Sequence, residues 1–373
     1  MSRKQPLDFR ATEVAYVMQR WQAAESASLV GIGSVGKSNL IQHLSDLDVQ
    51  RHYLGDTSAS QFKAILIDPN MLGPLPASDE ASEQIYCWAG YELMMHRLFL
   101  SFYPLDVLGP EDSRRFYDTY QALQDGTNPL YSYMGLRYFE LGLQFFLRRD
   151  IHIVFMFDEF EELLRQMPVR FFQTLRGIRD TNKSLVSYMT FTRSPLPVLV
   201  DRYEIPPLAV EPFVELFTDN VYYVGPYNDS DARRMADNLS KRLSKPLPES
   251  MVQFLLDATG RYAGLMRAAF HLVDQHDGPR SAAENEHLLA QLAANSAVRT
   301  ECLTIWMSLT PAEQFVLKAA GRLSAYSVNA ETEQAVVDLV QKRLLRLDRV
   351  QNVLEIHPPL FRLFVAGNPD ADQ

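Results

Sequence analysis

Short apolar runs alternate with longer amphipathic stretches through the first 225 residues of the chain. Five of these runs have the length and composition of buried strands, and each ends at a glycine, a proline or a polar residue. They cover residues 28–30, 62–68, 151–157, 185–191 and 221–224. Helical patterns separate them, beginning with residues 10–25 ahead of the first strand. The alternation predicts an α/β fold with a parallel five-stranded sheet and helices on both faces.

A longer helical stretch lies between the second and third strands. Residues 79–148 repeat aromatic and polar side chains in helical rhythm, with breaks at Gly109-Pro110 and at residues 125–129. We predict two or three helices here. Their aromatic side chains are expected to face the core, and a binding surface built from them is the less favoured alternative.

Beyond Pro226 helical patterns follow one another without a strand. Three short helices are predicted over residues 229–243, 249–258 and 263–275, followed by a polar linker over 276–286. Thr310-Pro311-Ala312-Glu313 is a capping box that begins a further helix. A second helix over 332–347, a hairpin over 349–356 and a helix after Pro358-Pro359 would complete a winged-helix order, and residues 368–373 are expected to be disordered.

This organisation divides the chain into three parts. We predict a nucleotide-binding core over residues 1–225, a helical lid over 226–290 and a winged helix over 291–373.

The residues after the first strand form a complete phosphate-binding loop of the pattern G-x-x-x-x-G-K-[ST]. Its glycines let backbone N–H groups surround a polyphosphate, its lysine reaches the β- and γ-phosphates, and its hydroxyl ligates Mg²⁺. A helical pattern follows, which would place the phosphates at a helix N-terminus. A glycine-rich turn without a ligand is the alternative, and the strand–loop–helix context disfavours it. The residues expected to bind nucleotide are Gly31, Gly33, Ser34, Val35, Gly36, Lys37, Ser38 and Asn39, of which Lys37 is also a candidate catalytic residue.

The third strand ends in Asp158-Glu159, a Walker B pattern. Asp158 would hold the Mg²⁺ together with Ser38, and Glu159 would orient and polarise the attacking water. The alternative is an acidic pair that only favours the helix dipole, and the upstream phosphate loop disfavours it. The following Glu161 and Glu162 are expected to lie on a solvated helix face.

Arginines supply the remaining candidate chemistry. The fourth strand ends in Thr192-Arg193, where the Arg193 guanidinium could stabilise transition-state charge or report the γ-phosphate. An ordinary loop arginine is the alternative. Arg176 and Arg179 could act in trans as arginine fingers in an assembled ring, although a solvated helix face is the favoured interpretation.

Together these motifs resemble the STAND branch of the AAA+-related ATPases over most of the chain. The resemblance also includes Arg10-x-x-Glu13, the strand end Phe191-Thr192-Arg193, and the glycine-rich turn at residues 259–267. Archaeal origin-recognition initiators are similar in their three-part plan. The resemblance implies a sheet of order 5-1-4-3-2, a helical lid, and ATP bound between core and lid. We add Arg10, Thr192 and Pro226 to the residues expected to contact the nucleotide.

Charge and cysteine content narrow the range of partners. The net charge is −10 and the isoelectric point is near 5.4, so the chain has no global electrostatic footprint for nucleic acid. Its two cysteines, Cys87 and Cys302, match no metal spacing and are expected to be buried thiols in a reducing compartment. Because no apolar run reaches membrane length and the first residues lack a secretory signal, we expect a cytoplasmic location without a membrane partner.

The favoured function is an ATP-binding, slowly hydrolysing switch ATPase with ATP or ADP and Mg²⁺ as ligands. Its nucleotide state would control the lid and winged helix and their interaction with a separately encoded partner protein, and a homo-oligomer is left open. The alternative is a DNA-binding initiator or loader. Residues 300–373 carry 7 basic and 9 acidic residues, which disfavours DNA, although Lys342, Arg343, Arg346 and Arg349 cluster in sequence. A small-molecule kinase is a third, weaker alternative.

Overall fold

Five strands form the sheet that the apolar runs predict. The computed structural model describes residues 4–56, 61–73, 83–125, 130–241, 246–273, 281–321, 329–348 and 353–367. The strands are β1 (Ala27–Val30), β2 (Phe62–Ile67), β3 (His152–Phe157), β4 (Val186–Thr192) and β5 (Val221–Tyr223). Their order is β2-β3-β4-β1-β5, which is the predicted 5-1-4-3-2 order, and β1–β4, β2–β3 and β3–β4 pair in parallel. Every residue of β1, β3 and β4 is buried, because helices cover both faces of a parallel sheet.

Helices surround these strands in the order that the polar pattern predicts. They are α1 (Ala11–Gln22), α2 (Lys37–Leu44), α3 (Leu47–Leu54), α4 (Glu83–Phe102), α5 (Pro110–Gln124), α6 (Tyr131–Leu147), α7 (Phe160–Gln166), α8 (Val169–Thr181), α9 (Leu196–Arg202) and α10 (Pro207–Val214). The insertion between β2 and β3 consists of the three helices α4, α5 and α6. Its aromatic residues lie in the core as predicted: Phe116, Phe139 and Phe146 are fully buried, and Phe99 and Phe102 pack against them. The predicted turn at 126–129 lies outside the described residues.

The chain after β5 is helical apart from one hairpin. It contains α11 (Asp229–Ser240), α12 (Glu249–Thr259), α13 (Ala263–Val273), α14 (Ala282–Ala294), α15 (Ser296–Met307), α16 (Pro311–Gly321), α17 (Ala330–Gln341), β6 (Leu345–Asp348), β7 (Val353–Ile356) and α18 (Pro359–Ala366). The predicted linker at 276–286 is partly wrong, because α14 begins inside it at a capping box of Ser281 and Glu284. Gly278-Pro279 lies outside the described residues.

The predicted end of the second C-terminal helix is also wrong. The helix α17 ends at Gln341, and residues 345–348 form β6 instead of helix. The run Lys342-Arg343-Leu344-Leu345 consists of strong helix formers, which explains the overextended prediction. The chain nevertheless turns at Arg343, whose φ is 62°, and Leu345 then pairs with Ile356, both buried. The hairpin turn at 351–352 and the tail at 368–373 lie outside the described residues.

Two compact units make up the chain. The first consists of Met1–Val30 and Ser38–Tyr222, and the second of Gly31–Lys37 and Tyr223–Gln373. The second unit therefore includes most of the phosphate-loop segment together with the helices that follow β5. Among the described residues, no helix combines the length and the apolar character needed to cross a membrane.

Candidate functional site

The Walker B residues stand at the carboxyl end of a fully buried strand in the first unit. The Asp158 backbone N–H donates to the Ile67 carbonyl at 3.0 Å, which continues the pairing of β3 with β2 by one residue. Asp158 Oδ1 accepts from the Glu159 N–H at 2.9 Å. Glu159 adopts a left-handed conformation with φ of 42°, so the chain turns sharply from β3 into α7. The two carboxylates are thereby held at the sheet edge where α/β folds bind ligands.

The Glu159 carboxylate has two side-chain partners. Asn70 Nδ2 donates to Glu159 Oε2 at 3.0 Å, and the Arg193 guanidinium lies 3.5 Å from Glu159 Oε1. Asn70 is held by Asp68, whose side chain caps the short helix after β2. Asn70 was not predicted from the sequence as a site residue. Its position just beyond β2 could have indicated a place near Glu159, because the carboxyl ends of parallel strands lie at one edge of the sheet.

Glu161 contradicts the predicted solvated helix face. Its side chain is buried and accepts a hydrogen bond from the Arg193 backbone N–H at 2.6 Å. The residue lies in the first turn of α7, on the side that packs against β4. Glu162 is half-buried and pairs with the exposed Arg165. The backbone of Arg193 is therefore fixed by Glu161, while its guanidinium reaches Glu159.

Thr192 provides a buried hydroxyl at the same edge. It is fully buried, pairs in register with Val30, and its Oγ1 has no hydrogen-bond partner among the described residues. Burying an unpaired hydroxyl costs free energy, so this position suits a polar ligand atom or an ordered water. The hard oxygen donors of Ser38, at the start of α2, and of Asp158 are of the type that Mg²⁺ prefers, with its remaining ligands drawn from phosphate and water. The residues present thus fit a magnesium nucleotide.

The phosphate loop is engaged within the second unit. Lys37 Nζ donates to the Gly31 carbonyl. Ser34, with φ of 72°, accepts from two backbone groups at the start of α13: its carbonyl from Gly264 N–H and its Oγ from Leu265 N–H, each at 3.0 Å. Ser34 therefore satisfies two of the N–H groups that a helix start leaves without an intrahelical partner.

Two loop glycines are required by close approaches in that unit. A Cβ atom on Gly33 would lie 2.6 Å from Thr304 Cγ2 and 3.0 Å from the Thr304 carbonyl oxygen. Gly36 has φ of 87°, and a Cβ there would lie 2.9 Å from the Tyr227 hydroxyl. No role was predicted from the sequence for α15, which carries Thr304. Composition gives no signal for such a contact.

The other residues predicted to contact the nucleotide or Mg²⁺ differ in how far they are buried. Arg10 is buried at the start of α1 and pairs with Glu13 at 2.5 Å. Val35 is buried, Asn39 is half-buried and Ser38 is exposed on the first turn of α2. Pro226 is half-buried just after β5.

Arg176 and Arg179 do not form the solvated helix face that was favoured for them. Both are half-buried on α8. Arg176 pairs with Asp180 at 2.7 Å and donates to the Pro212 carbonyl, and Arg179 Nη2 donates to the Ala24 carbonyl at 3.0 Å. Each guanidinium therefore links α8 to a neighbouring segment of the first unit.

The basic residues that cluster in sequence near the hairpin are divided between buried and exposed positions. Lys342 is buried and paired with the equally buried Glu313 at 2.5 Å. Arg346 pairs with Glu355 at 2.8 Å, and the Arg343 stem lies against Gly225. Arg349 lies outside the described residues. Sequence proximity does not reveal that Lys342 turns inward while Arg343 and Arg346 stay exposed.

The sequence and the structure were compared with those of known proteins. No family model and no curated protein matches the sequence. Among solved structures, a Walker-type ATPase of Pyrococcus abyssi is similar with a TM-score of 0.52 and 12% identity over 98% of both chains. The ORC2 protein of Aeropyrum pernix in ADPNP–ADP complexes gives a TM-score of 0.49 with 11% identity, covering 96% of this chain and 91% of its own. At such identities the first of these likenesses shows the fold, and this chain has the fold of a Walker-type, P-loop ATPase, as its motifs predict.

Proposed function

We propose that the chain is an ATP-binding and slowly hydrolysing ATPase that acts as a nucleotide switch. In this proposal Gly31 and residues 33–39 bind the phosphates, and Arg10, Thr192 and Pro226 also contact the nucleotide. Lys37 neutralises phosphate charge, and Ser38 and Asp158 hold Mg²⁺. The bound ion would supply Lewis-acid polarisation of the phosphate oxygens.

One observation carries the proposal: neighbouring strands deliver complementary groups to one edge of the sheet. Asp158-Glu159 follow β3, Thr192-Arg193 end and follow β4, and β1, on the other side of β4, leads into the phosphate-loop sequence. A carboxylate pair, a buried hydroxyl and a guanidinium are the groups that metal-assisted phosphoryl transfer to water uses. Because these strands are parallel neighbours, the topology of the sheet brings the groups at their carboxyl ends to the same edge.

Glu159 would act on the water and Arg193 on the phosphate. A carboxylate can orient water and accept its proton, while a guanidinium stabilises charge that grows on phosphate oxygens. Both side-chain partners of Glu159, Asn70 and Arg193, hold its carboxylate in place at the carboxyl end of β3.

The switch is supported by bonds that run from the phosphate loop to the C-terminal helices. Ser34 binds the start of α13, and the buried Tyr262, one residue before that helix, donates to the carbonyls of Lys342 and Arg343 at 3.0 and 3.2 Å. A rearrangement of Ser34 on binding phosphate would therefore shift the start of α13 and Tyr262, and through Tyr262 the residues that join α17 to the hairpin. We propose that this movement is read by a separately encoded partner protein, with homo-oligomerisation as a further option. We retain the division into core, lid and winged helix in this proposal.

DNA binding by the C-terminal elements is the second candidate. Helices α16 and α17, strands β6 and β7, and helix α18 follow the winged-helix order. The pairing of Lys342 and Arg346 with carboxylates weakens this candidate. A gel shift with and without ATP would separate it from a protein-directed switch.

The test of the proposed activity is phosphate release by purified protein with MgATP. Glu159→Gln should lower turnover by about 10²–10⁴-fold while ATP binding is retained, because glutamine keeps the size but cannot accept the proton. Glu162→Gln is the matched control, since it removes the same charge three residues along the chain, where the side chain pairs with Arg165, and it should leave turnover unchanged. Wild-type turnover in Glu159→Gln would remove Glu159 from the mechanism.

A further inference from the structure

The backbone of helix α15 lies in close contact with the phosphate loop. A Cβ on Gly33 would meet both the Thr304 methyl group and the Thr304 carbonyl oxygen. Only glycine permits this approach, because the obstruction includes helix backbone, which cannot rotate away as a side chain can. The contact lies wholly within the second unit, as do the residues discussed next.

A carboxylate of the same helix lies one turn earlier, beside Ser34. A Cβ on Gly264 would lie 2.2 Å from Glu301 Oε2 and 2.2 Å from Ser34 Oγ, so both oxygens converge on the first turn of α13. That turn already donates two N–H groups to Ser34. A helix start attracts negative charge, which explains why a carboxylate is stable at this position.

The same property makes Glu301 a competitor of phosphate. Polyphosphate binds where backbone N–H groups and a helix start provide positive potential, and the loop at Ser34 is the expected binding segment. A carboxylate held beside that loop repels each added phosphate charge. Because MgATP carries one more negative charge than MgADP, the repulsion is greater for MgATP.

From these contacts we propose that Glu301 is a charge gate on the phosphate loop, which weakens nucleotide binding and weakens MgATP more than MgADP. This inference rests on the proposed function, because it assigns regulation to the same site. It gives α15 a role in nucleotide selectivity that the loop motif alone does not contain.

A charge series at Glu301 tests the gate by isothermal titration calorimetry with MgATP and MgADP. Glu301→Gln should tighten MgATP roughly tenfold and MgADP by less, and Glu301→Lys should tighten MgATP further. Glu301→Asp, which retracts the carboxylate by one methylene, should lie between the wild type and Glu301→Gln. The differences should shrink as salt rises to about 0.5 M, since salt screens partly exposed charges.

Glu286→Gln is the matched control, because Glu286 is an exposed residue of α14 in the same unit and carries the same charge. It should leave both affinities unchanged. Equal affinities across the Glu301 series, or weaker MgATP binding by Glu301→Gln, would overturn the gate while leaving nucleotide binding intact. Failure of the wild type to bind either nucleotide would instead refute the proposed function itself.

Discussion

Replacing Lys342 should destabilise the second unit far more than replacing an exposed cation. The side chains of Lys342 and Glu313 are each only 1% exposed, and they form an ion pair at 2.5 Å. Glu313 also accepts from the Thr310 N–H at 2.8 Å as part of its capping box. Lys342→Met would remove the cation, keep an apolar chain of similar length, and leave the Glu313 carboxylate buried without its countercharge.

The expected loss is about 3–5 kcal/mol in the free energy of unfolding, the usual cost of breaking a buried pair from one side. Adding Glu313→Gln should recover most of it, because glutamine can still accept from Thr310 and carries no charge to desolvate. Urea unfolding followed by circular dichroism and by tryptophan fluorescence measures both values, and Trp306 lies in the second unit.

Arg346→Met is the control for this experiment. The Arg346–Glu355 pair is exposed, at 58% and 30%, and such pairs contribute about 0–1 kcal/mol. If Lys342→Met costs no more than Arg346→Met, or if the double variant is less stable than Lys342→Met alone, the assignment of Lys342 as a buried structural cation is wrong.

Two further predictions concern the first unit. Asn70→Ala should lower kcat about tenfold with ATP affinity unchanged, because the Glu159 carboxylate loses the amide that positions it; an unchanged kcat in steady-state phosphate release would argue against this role. Burial, with a smaller contribution from the charge of Arg179, lowers the pKa of His152 to about 4. The His152 pKa is thus near 6.5 in the unfolded chain and near 4 in the folded chain. As the pH falls below 6.5, the unfolded chain takes up this proton first, which lowers the free energy of unfolding. The loss reaches up to about 3 kcal/mol by the time the pH has fallen to the folded-state pKa. His152→Gln should flatten the pH dependence of the unfolding free energy between pH 7 and 4.5, and parallel curves for the two proteins would contradict the shift.

The sheet and the edge that carries the candidate site could be predicted because they depend on local patterns. Apolar runs of strand length, each ended by a turn or polar residue, identify all five strands to within about one residue. The phosphate-loop pattern and Asp158-Glu159 then follow strands that a parallel sheet aligns. The order 5-1-4-3-2 came from the resemblance to a known family, since periodicity alone does not specify which strands pair.

The missed features depend on tertiary contacts. Glu161 and Glu162 are neighbours with the same side chain, and only the direction of packing on β4 decides that one is buried. Lys342 looked like part of a basic cluster because its partner, Glu313, lies 29 positions away. The contact of α15 with the phosphate loop joins segments separated by more than 260 residues, and no local pattern reports it.

Nucleotide binding by the phosphate loop should depend on Lys37, and an equilibrium titration with MgATP measures this dependence. Lys37 is the half-buried first residue of α2 and lies outside the apolar core, so Lys37→Ala should keep the circular dichroism spectrum and unfolding midpoint of the wild type. We expect saturable, one-to-one binding by the wild type and a loss of at least about 100-fold in affinity for Lys37→Ala, the cost of removing a charge-assisted contact to phosphate. Equal MgATP affinity in the two proteins would contradict the phosphate-loop assignment and the function proposed from it.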